Sequence, residues 1–472
     1  MPKKHVWRVG LKGLGIALAV VFAASVSAYL LLYVFDLGII NNGDGRRILR
    51  SAFVRPDDMG VFVRLPTSFP MEPLSAVEAM QFVPLSPSAL LVLLIALASK
   101  LFGAVRFYLV LLSTAYFTLF YTGCLLLLRL PGGALARMAT AAVIAGFLLD
   151  PAFVSYFFSV YEEAMVMAAL PLWYYLAVGA FEQEKRASLF LLMTIVLVAS
   201  KSTMVLLLLI PIAFCWKYKR PRHVLMSLFI VVFCGLALAK SDEAYDNANS
   251  FNRLYNGLAF SLSDVSRWPA VSFDERVTLA PVLVTPDSFR RTSLPPAVQA
   301  AWGHSYWPDI RTTPRVQMEG YVQLGKKPEF VKLLISNPHL VLTLAEQSVM
   351  TALQADYGLL YLQQRKQAES MLHYRVIFQV VNERLGWLLL VALPLLGLSL
   401  WRSRLFASTV LVAALVSPLL VVLGDGYFEF EKHLMPFLAI TLFSIPLALR
   451  RSDPAKVWPL QMPLLSECDP RP

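Results

Sequence analysis

The sequence predicts an all-α polytopic membrane protein with about ten transmembrane helices. Three observations predict it. Of 472 residues 57% are hydrophobic and only 15% charged, with a mean hydropathy of +0.61, a balance foreign to soluble domains. Apolar runs near membrane length recur along the chain. Lysines and arginines gather between alternate runs, as the positive-inside rule requires.

The first run follows a basic start, "MPKKHVWRVGLKG", as in a signal peptide. It is about as long as a membrane span and lacks a convincing small-residue cleavage site, so it reads as a retained first helix. The spans fall at roughly 13–34, 107–128, 138–152, 164–181, 187–200, 203–216, 224–239, 385–400, 405–423 and 433–449. With both termini cytoplasmic, Lys3, Lys4, Arg8, Lys12, Arg129, Arg137, Lys185, Arg186, Lys217, Lys219, Arg220, Arg222, Arg402, Arg404, Arg450 and Arg451 all lie inside. The short outer connections carry only Lys201 and Lys432. "SPSALLVLLIALASKLFGAVR", Ser86 to Arg106, is apolar enough to be a span, but counting it would turn the later basic clusters outward. It is placed outside, as a helix in the interface or packed on the bundle, with Lys100 and Arg106 reaching headgroups.

This gives an N-terminal transmembrane module at 1–239 with a first outer loop at 35–106. A large extracytoplasmic domain follows at 240–384, then C-terminal helices at 385–450 and a cytoplasmic tail at 451–472. The outer domain is expected to be helical near "KKPEFVKLLISNPHLVLTLAEQSVMTALQ", where apolar residues recur at helical spacing. The net charge of +11 sits in topology-setting clusters without aromatic interleaving, so no nucleic acid is implied. Cys124, Cys215, Cys234 and Cys468 have no close metal spacing and imply neither a disulfide framework nor a zinc site.

The topology brings ionisable residues from separate turns to one outer level. Asp44 lies in "NNGDGRRILR" after the first helix. Asp150, Tyr161, Glu162 and Glu163 lie in "DPAFVSYFFSVYEEAM", in the third outer connection. Lys201 lies in "ASKSTM", and "GDGYFEFEKHLMP" supplies Asp425, Glu429, Glu431, Lys432 and His433. Each has a plainer reading: a solvated carboxylate, a turn aspartate, acids favoured at a helix N-terminus, a snorkelling lysine, a histidine packed in an aromatic belt. The functional case rests on their coincidence, because charges near hydrocarbon are costly and tend to face a cavity and one another. Cations at the interface with a carboxylate suit an enzyme that takes a sugar from a lipid phosphate, holding the anionic leaving group while a base deprotonates the acceptor hydroxyl. One base suffices for inversion, with Asp44 in that role.

The motifs "NNGDGRR", "YFFSVYEE" and "GDGYFEFEKHLMPF" resemble those of bacterial members of the GT-C superfamily of polyprenyl-phosphate-dependent glycosyltransferases. The resemblance implies a GT-C-like fold with interfacial helices in the first outer loop, a polyprenyl-phosphate sugar donor, and a glycan, lipid or protein acceptor on the extracytoplasmic face of the inner membrane. It implies Asp44 as base and Arg47 supporting the loop or a phosphate. Glu162 and Glu163 would line the sugar or acceptor pocket, Asp425 and His433 would close it, and Lys201 and Lys432 would contact phosphate. "NSFNRLYNGLAF", Asn249 to Phe260, is similar to the start of the family's outer domain but is assigned no chemistry. The acidic pair usual after the first helix is missing; Asp57 and Asp58 are the nearest substitute and leave the identity of the base open. No cofactor is assigned, and a divalent metal, used by oligosaccharide-transferring members, is left open. Alternative readings are a transporter of a lipid-linked glycan, or a glycan polymerase or ligase relying on Arg290, Arg291, Arg311 and Arg315.

Overall fold

The computed structural model describes residues 40–41, 45–55, 63–72, 86–130, 134–149, 151–183, 186–218, 221–239, 249–250, 252–259, 325–354, 404–425 and 430–448. The expected spans at 13–34 and 385–400 lie outside these residues.

The segment before the bundle carries two small antiparallel ribbons. In one, β1 (Ile40–Asn41) pairs with β2 (Val63–Arg64). In the other, β3 (Ser68–Pro70) pairs with β4 (Arg106–Tyr108), Phe69 opposite Phe107. Helix α1 (Gly45–Arg50) buries Ile48 and Leu49 and packs on α2 (Pro87–Leu101). That second helix is the apolar segment expected outside the span count. It is 15 residues long, in the length range of the shorter apolar helices of the bundle. It buries Ala89, Val92 and Ala96 and leaves Leu90 and Leu94 exposed. Of the two cations expected at headgroups, Lys100 lies 5.8 Å from the centre of the Phe53 ring, and the exposed Arg106 donates from Nε to Ser68 Oγ at 3.0 Å.

The bundle comprises α3 (Leu109–Leu128), α4 (Ala134–Leu149), the short α5 (Pro151–Val154) with a 3₁₀ turn at Ser155–Phe158, α6 (Glu162–Gln183), α7 (Ala187–Ser200), a 3₁₀ segment Ser202–Leu208 running into α8 (Leu209–Tyr218), and α9 (Pro221–Ala239). A π-helical segment, Asn252–Ala259, follows, then α10 (Lys327–Ser336), α11 (Pro338–Gln354), α12 (Arg404–Asp425) and α13 (Phe430–Ala448). Among the described residues, Leu109–Leu128 and Glu162–Phe181 are long and apolar enough to cross a membrane, and further apolar helices of 10–17 residues stand with them.

Helix α6 is the centre of the bundle, packed against α2, α3, α7 and α13. Its apolar residues are buried on every face, the pattern of a helix with no lipid side. Two polar bonds fix it: Trp173 donates to Thr194 Oγ1 on α7 at 2.9 Å, and the Tyr174 hydroxyl donates to the Ile440 carbonyl on α13 at 2.6 Å. Aromatic rings of Phe181, Phe190 and Phe406 fill the space around Trp173. On α3, whose other side is exposed, Thr114, Thr118 and Thr122 each donate to the carbonyl four residues back at 2.7–2.8 Å. Their hydroxyls therefore demand no partner from an apolar surrounding.

At Gly123, α3 and α6 meet closely: a Cβ there would stand 2.8 Å from Pro171 Cβ and closer still to the Leu172 backbone nitrogen. Neither neighbour is a flexible side-chain tip. Gly123→Val is expected to force the two helices apart, lowering stability by about 1–3 kcal/mol. Thermal unfolding of the purified protein in detergent reads this as a reduced melting temperature with unchanged helix content.

The two ends of α6 differ in chemistry. Near its C-terminus, Arg186 donates to the Tyr175 hydroxyl and lies over its ring, while Lys217 and Tyr218 donate to the Phe181 carbonyl. Lys217 and Tyr218 thereby satisfy carbonyls that a helix end leaves open. The N-terminus carries Glu162 and Glu163 in its first turn.

Candidate active site

The acidic end of α6 is built by a shaped turn. Ser159 donates to the Tyr156 carbonyl at 2.6 Å and accepts from the Tyr161 backbone N–H at 3.1 Å, so the chain reverses into α6 with Tyr161 just before it. The helix begins at Glu162, two residues earlier than hydropathy predicts. Both glutamates thus belong to its first turn rather than to the connection, where the helix dipole favours negative charge.

Glu163 points inward and is 1% exposed. Its Oε1 lies 2.8 Å from Lys201 Nζ and 3.4 Å from His433 Nδ1. Lys201 comes from the extended residue that ends α7, φ −147° and ψ 128°, where the chain turns into the 3₁₀ segment. His433 comes from the first turn of α13, which also begins earlier than predicted, at Phe430. Its neighbour Lys432 is buried, with Nζ 4.7 Å from the centre of the Tyr161 ring and close enough to act electrostatically on Glu163. Three elements remote in sequence therefore bring two ammonium groups and an imidazole around one carboxylate.

The arrangement has a clear electrostatic sense. A buried carboxylate is tolerable when paired and hydrogen-bonded, and Lys201 supplies that pairing. The 3.4 Å contact to His433 is electrostatic more than a well-formed hydrogen bond. An ammonium has three N–H donors, so Lys201 can hold Glu163 and still donate to an anion. Beside this cluster, Ser88 of α2 and the buried Tyr116 hydroxyl of α3 lie together, within electrostatic reach of Glu162. Sequence reading missed both, because a serine at a helix start and a tyrosine in an apolar run carry no signal by themselves.

Of the residues singled out from the sequence, Glu163, Lys201, Lys432 and His433 come together, and Glu162 lies one residue from them on the same helix turn. Asp44, Asp57, Asp58, Asp150, Glu429, Arg290, Arg291, Arg311 and Arg315 lie outside the described residues. Arg47 belongs to α1 and Asp425 ends α12; their side chains, like that of Glu431, are outside the description. Among the described residues no three His, Cys, Asp or Glu side chains gather as a metal site, so no ligand set is assigned.

Asn249–Phe260 is assigned no chemistry from its residue types, but the structure finds a role for Arg253. This buried guanidinium donates from Nε to the Leu423 carbonyl at 2.7 Å, from Nη2 to the Gly424 carbonyl at 3.3 Å and from Nη1 to the Gly325 carbonyl. It lies 5.7 Å from the centre of the Phe330 ring. Arg253 thus caps the carbonyl end of α12, next to Asp425, and ties it to the start of α10. At Gly325 a Cβ would collide with the Ser250 backbone, so this crossing requires glycine. Arg253→Ala is expected to orphan these carbonyls at roughly 1–3 kcal/mol each. The melting temperature should fall, and Arg253→Lys should recover only part of it, since one ammonium cannot span all three acceptors.

The family model for the YfdI N-terminal transmembrane domain matches residues 3–264, more than half of the chain. The chain belongs to this family. It is accordingly a membrane protein, and the YfdI domain contains Glu162, Glu163, Lys201 and Arg253. Lys432 and His433 lie beyond the matched residues, so the cluster is completed by α13 from outside the YfdI domain. No curated protein and no solved structure matches the chain.

Proposed function

We propose that the protein is an integral membrane glycosyltransferase of the GT-C type, using a polyprenyl-phosphate sugar and acting on the extracytoplasmic face of the inner membrane. The observation that carries this reading is the buried convergence of Lys201, Lys432 and His433 on Glu163 at one end of the bundle. Two buried ammonium groups act on the single Glu163 carboxylate, and positive charge held there suits an anionic leaving group. Membership of the YfdI family and the resemblance of the three motifs to GT-C enzymes point the same way.

In this mechanism Lys201 and Lys432 hold the lipid phosphate, while Glu163 orients Lys201 and His433. The Asp44 carboxylate takes the proton of the acceptor hydroxyl. The acceptor oxygen bonds to the anomeric carbon as the bond from that carbon to the phosphate oxygen breaks. Polyprenyl phosphate leaves and the anomeric centre inverts. In this reading Arg47, on α1, supports the first outer loop or a phosphate, Asp425, at the end of α12, closes the site with His433, and Glu162 contacts the sugar or acceptor. The proposal includes ten spans, cytoplasmic termini and an outer region at 240–384. Nothing in it requires a cofactor; a glycan, a lipid or a protein is the acceptor.

The test is a transfer assay with the purified full chain in lipid nanodiscs, supplied with polyprenyl-phosphate sugars and an envelope-glycan extract as acceptor. A new glycosidic product, with release of polyprenyl phosphate, is the expected result. Movement of the lipid-linked sugar across a liposome bilayer without any new glycosidic bond would reject the enzyme reading in favour of transport.

A further inference from the structure

Arg253 lies inside the residues matched by the YfdI model, yet the three carbonyls to which it donates, at Gly325, Leu423 and Gly424, all lie beyond them. A guanidinium that is 3% exposed and aimed at such a set of acceptors holds them in one place, because its planar fork fixes the directions of its donors. The same crossing is fixed a second time at Gly325, where a Cβ would overlap the Ser250 backbone.

What Arg253 holds is the end of α12, and α12 touches the elements that carry both arms of the Glu163 cluster. It packs on the 3₁₀ segment Ser202–Leu208, which begins at the residue after Lys201, and on α13, whose first turn carries Lys432 and His433. Only residues 426–429 separate the end of α12 from the start of α13, so the clamp and the cluster share one end of the bundle. Further along α13, the Ile440 carbonyl accepts from the Tyr174 hydroxyl at 2.6 Å. That bond fixes one point of the helix, about two turns from His433. Packing of α13 on α4 and α6 is largely apolar and therefore non-directional. The contacts at Glu163, 2.8 Å to Lys201 and 3.4 Å to His433, are sensitive to small displacements, and the directional restraint nearest the first turn of α13 is the one Arg253 places on α12.

We propose that Arg253 is a positioning residue of the Glu163 site: by clamping the end of α12 to the YfdI domain, it sets the register at which Lys432 and His433 meet Glu163. No contact with substrate is assigned to it. The contacts concern the fold alone; the consequence for binding rests on the reading of the cluster as a phosphate site.

The test has two arms, both on the full chain. In the first, protein isotope-labelled at histidine only is reconstituted in liposomes, and the His433 imidazole is assigned in solid-state spectra by its loss in His433→Gln. Glu163→Gln should move this signal in the wild-type background. In Arg253→Ala the signal should already be displaced and should respond much less to Glu163→Gln. Arg253→Lys, which keeps the charge without the fork, should lie between, and gives the same comparison should the alanine variant not fold. Gly123→Val, altered at a packing contact outside the cluster, should leave the signal in place. A wild-type signal in the Arg253 variants, or an equal displacement in Gly123→Val, would overturn the proposal.

The second arm measures affinity for polyprenyl phosphate in nanodiscs. Arg253→Lys should weaken binding by about 2–30-fold, the range for residues that act on a site through intervening structure. The loss should be largely absent in the Lys432→Met background, because Arg253 acts through that side chain. Equal losses in both backgrounds would contradict the proposal. A wild-type chain that binds no polyprenyl phosphate would remove the phosphate reading alone, and the spectra would still decide whether Arg253 positions His433.

Discussion

Glu163→Ala is expected to be the most damaging single substitution in the described bundle. It strips the carboxylate from Lys201, 2.8 Å away and only 11% exposed, and from His433 at 3.4 Å, and leaves the buried Lys432 beside them. Removing one member of a buried pair costs roughly 3–5 kcal/mol, because the surviving charge keeps its desolvation penalty and loses its compensation. Glu163→Gln keeps the shape and a hydrogen-bond acceptor but not the charge, and should fall between wild type and alanine. Lys201→Met should also destabilise. The double variant Glu163→Gln/Lys201→Met should be milder than the sum of the singles, with a coupling of about 1–3 kcal/mol. Thermal unfolding in detergent measures all four. Additive effects would mean that the two side chains do not act as a pair.

Asp44→Asn carries the largest expected effect on rate. The change is isosteric and removes only the proton acceptor, so transfer should fall by about 10²–10⁴-fold, the usual contribution of a positioned general base. Affinity for the lipid-linked donor should stay within about twofold, because that contact is assigned to cations rather than to the base. The same assay on Asp57→Asn and Asp58→Asn decides the base: a fall of this size there, with Asp44→Asn active, moves the role to the "RPDD" segment.

The helices were legible because a run of apolar residues near membrane length admits few conformations once its backbone must satisfy its own hydrogen bonds. The segment expected at 107–128 is Leu109–Leu128, and the one expected at 187–200 is Ala187–Ser200. The errors cluster where polar residues join a helix. Hydropathy ends the run at Glu163 and Lys432, whereas α6 and α13 continue through them and begin at Glu162 and Phe430. Charges there are neutralised by one another across the bundle, and such pairing leaves no local signature. The convergence of Glu163, Lys201 and His433 was legible as a common level, but not as contacts.

Arg253 was not legible at all. Its acceptors are backbone carbonyls 170 residues away or more at Leu423 and Gly424, and every residue type offers a carbonyl. The approach of Gly123 to Pro171 is similar: a glycine within an apolar helix can be placed by sequence, but the neighbour that requires it cannot. The stretch at 326–354 is legible as helix from its apolar spacing, while the neighbour that its buried face meets, α12, is not.

The most direct measurement of the central claim is the affinity of the purified full chain for polyprenyl phosphate in nanodiscs, compared with that of Lys201→Met/Lys432→Met at matched folded content. If the cluster around Glu163 holds the lipid phosphate, losing two charge-assisted contacts worth about 1.5–3 kcal/mol each should weaken binding by about 10²-fold or more. An unchanged affinity in the folded double variant would contradict the account, leaving the buried cations as ion-pair partners of Glu163 and nothing else.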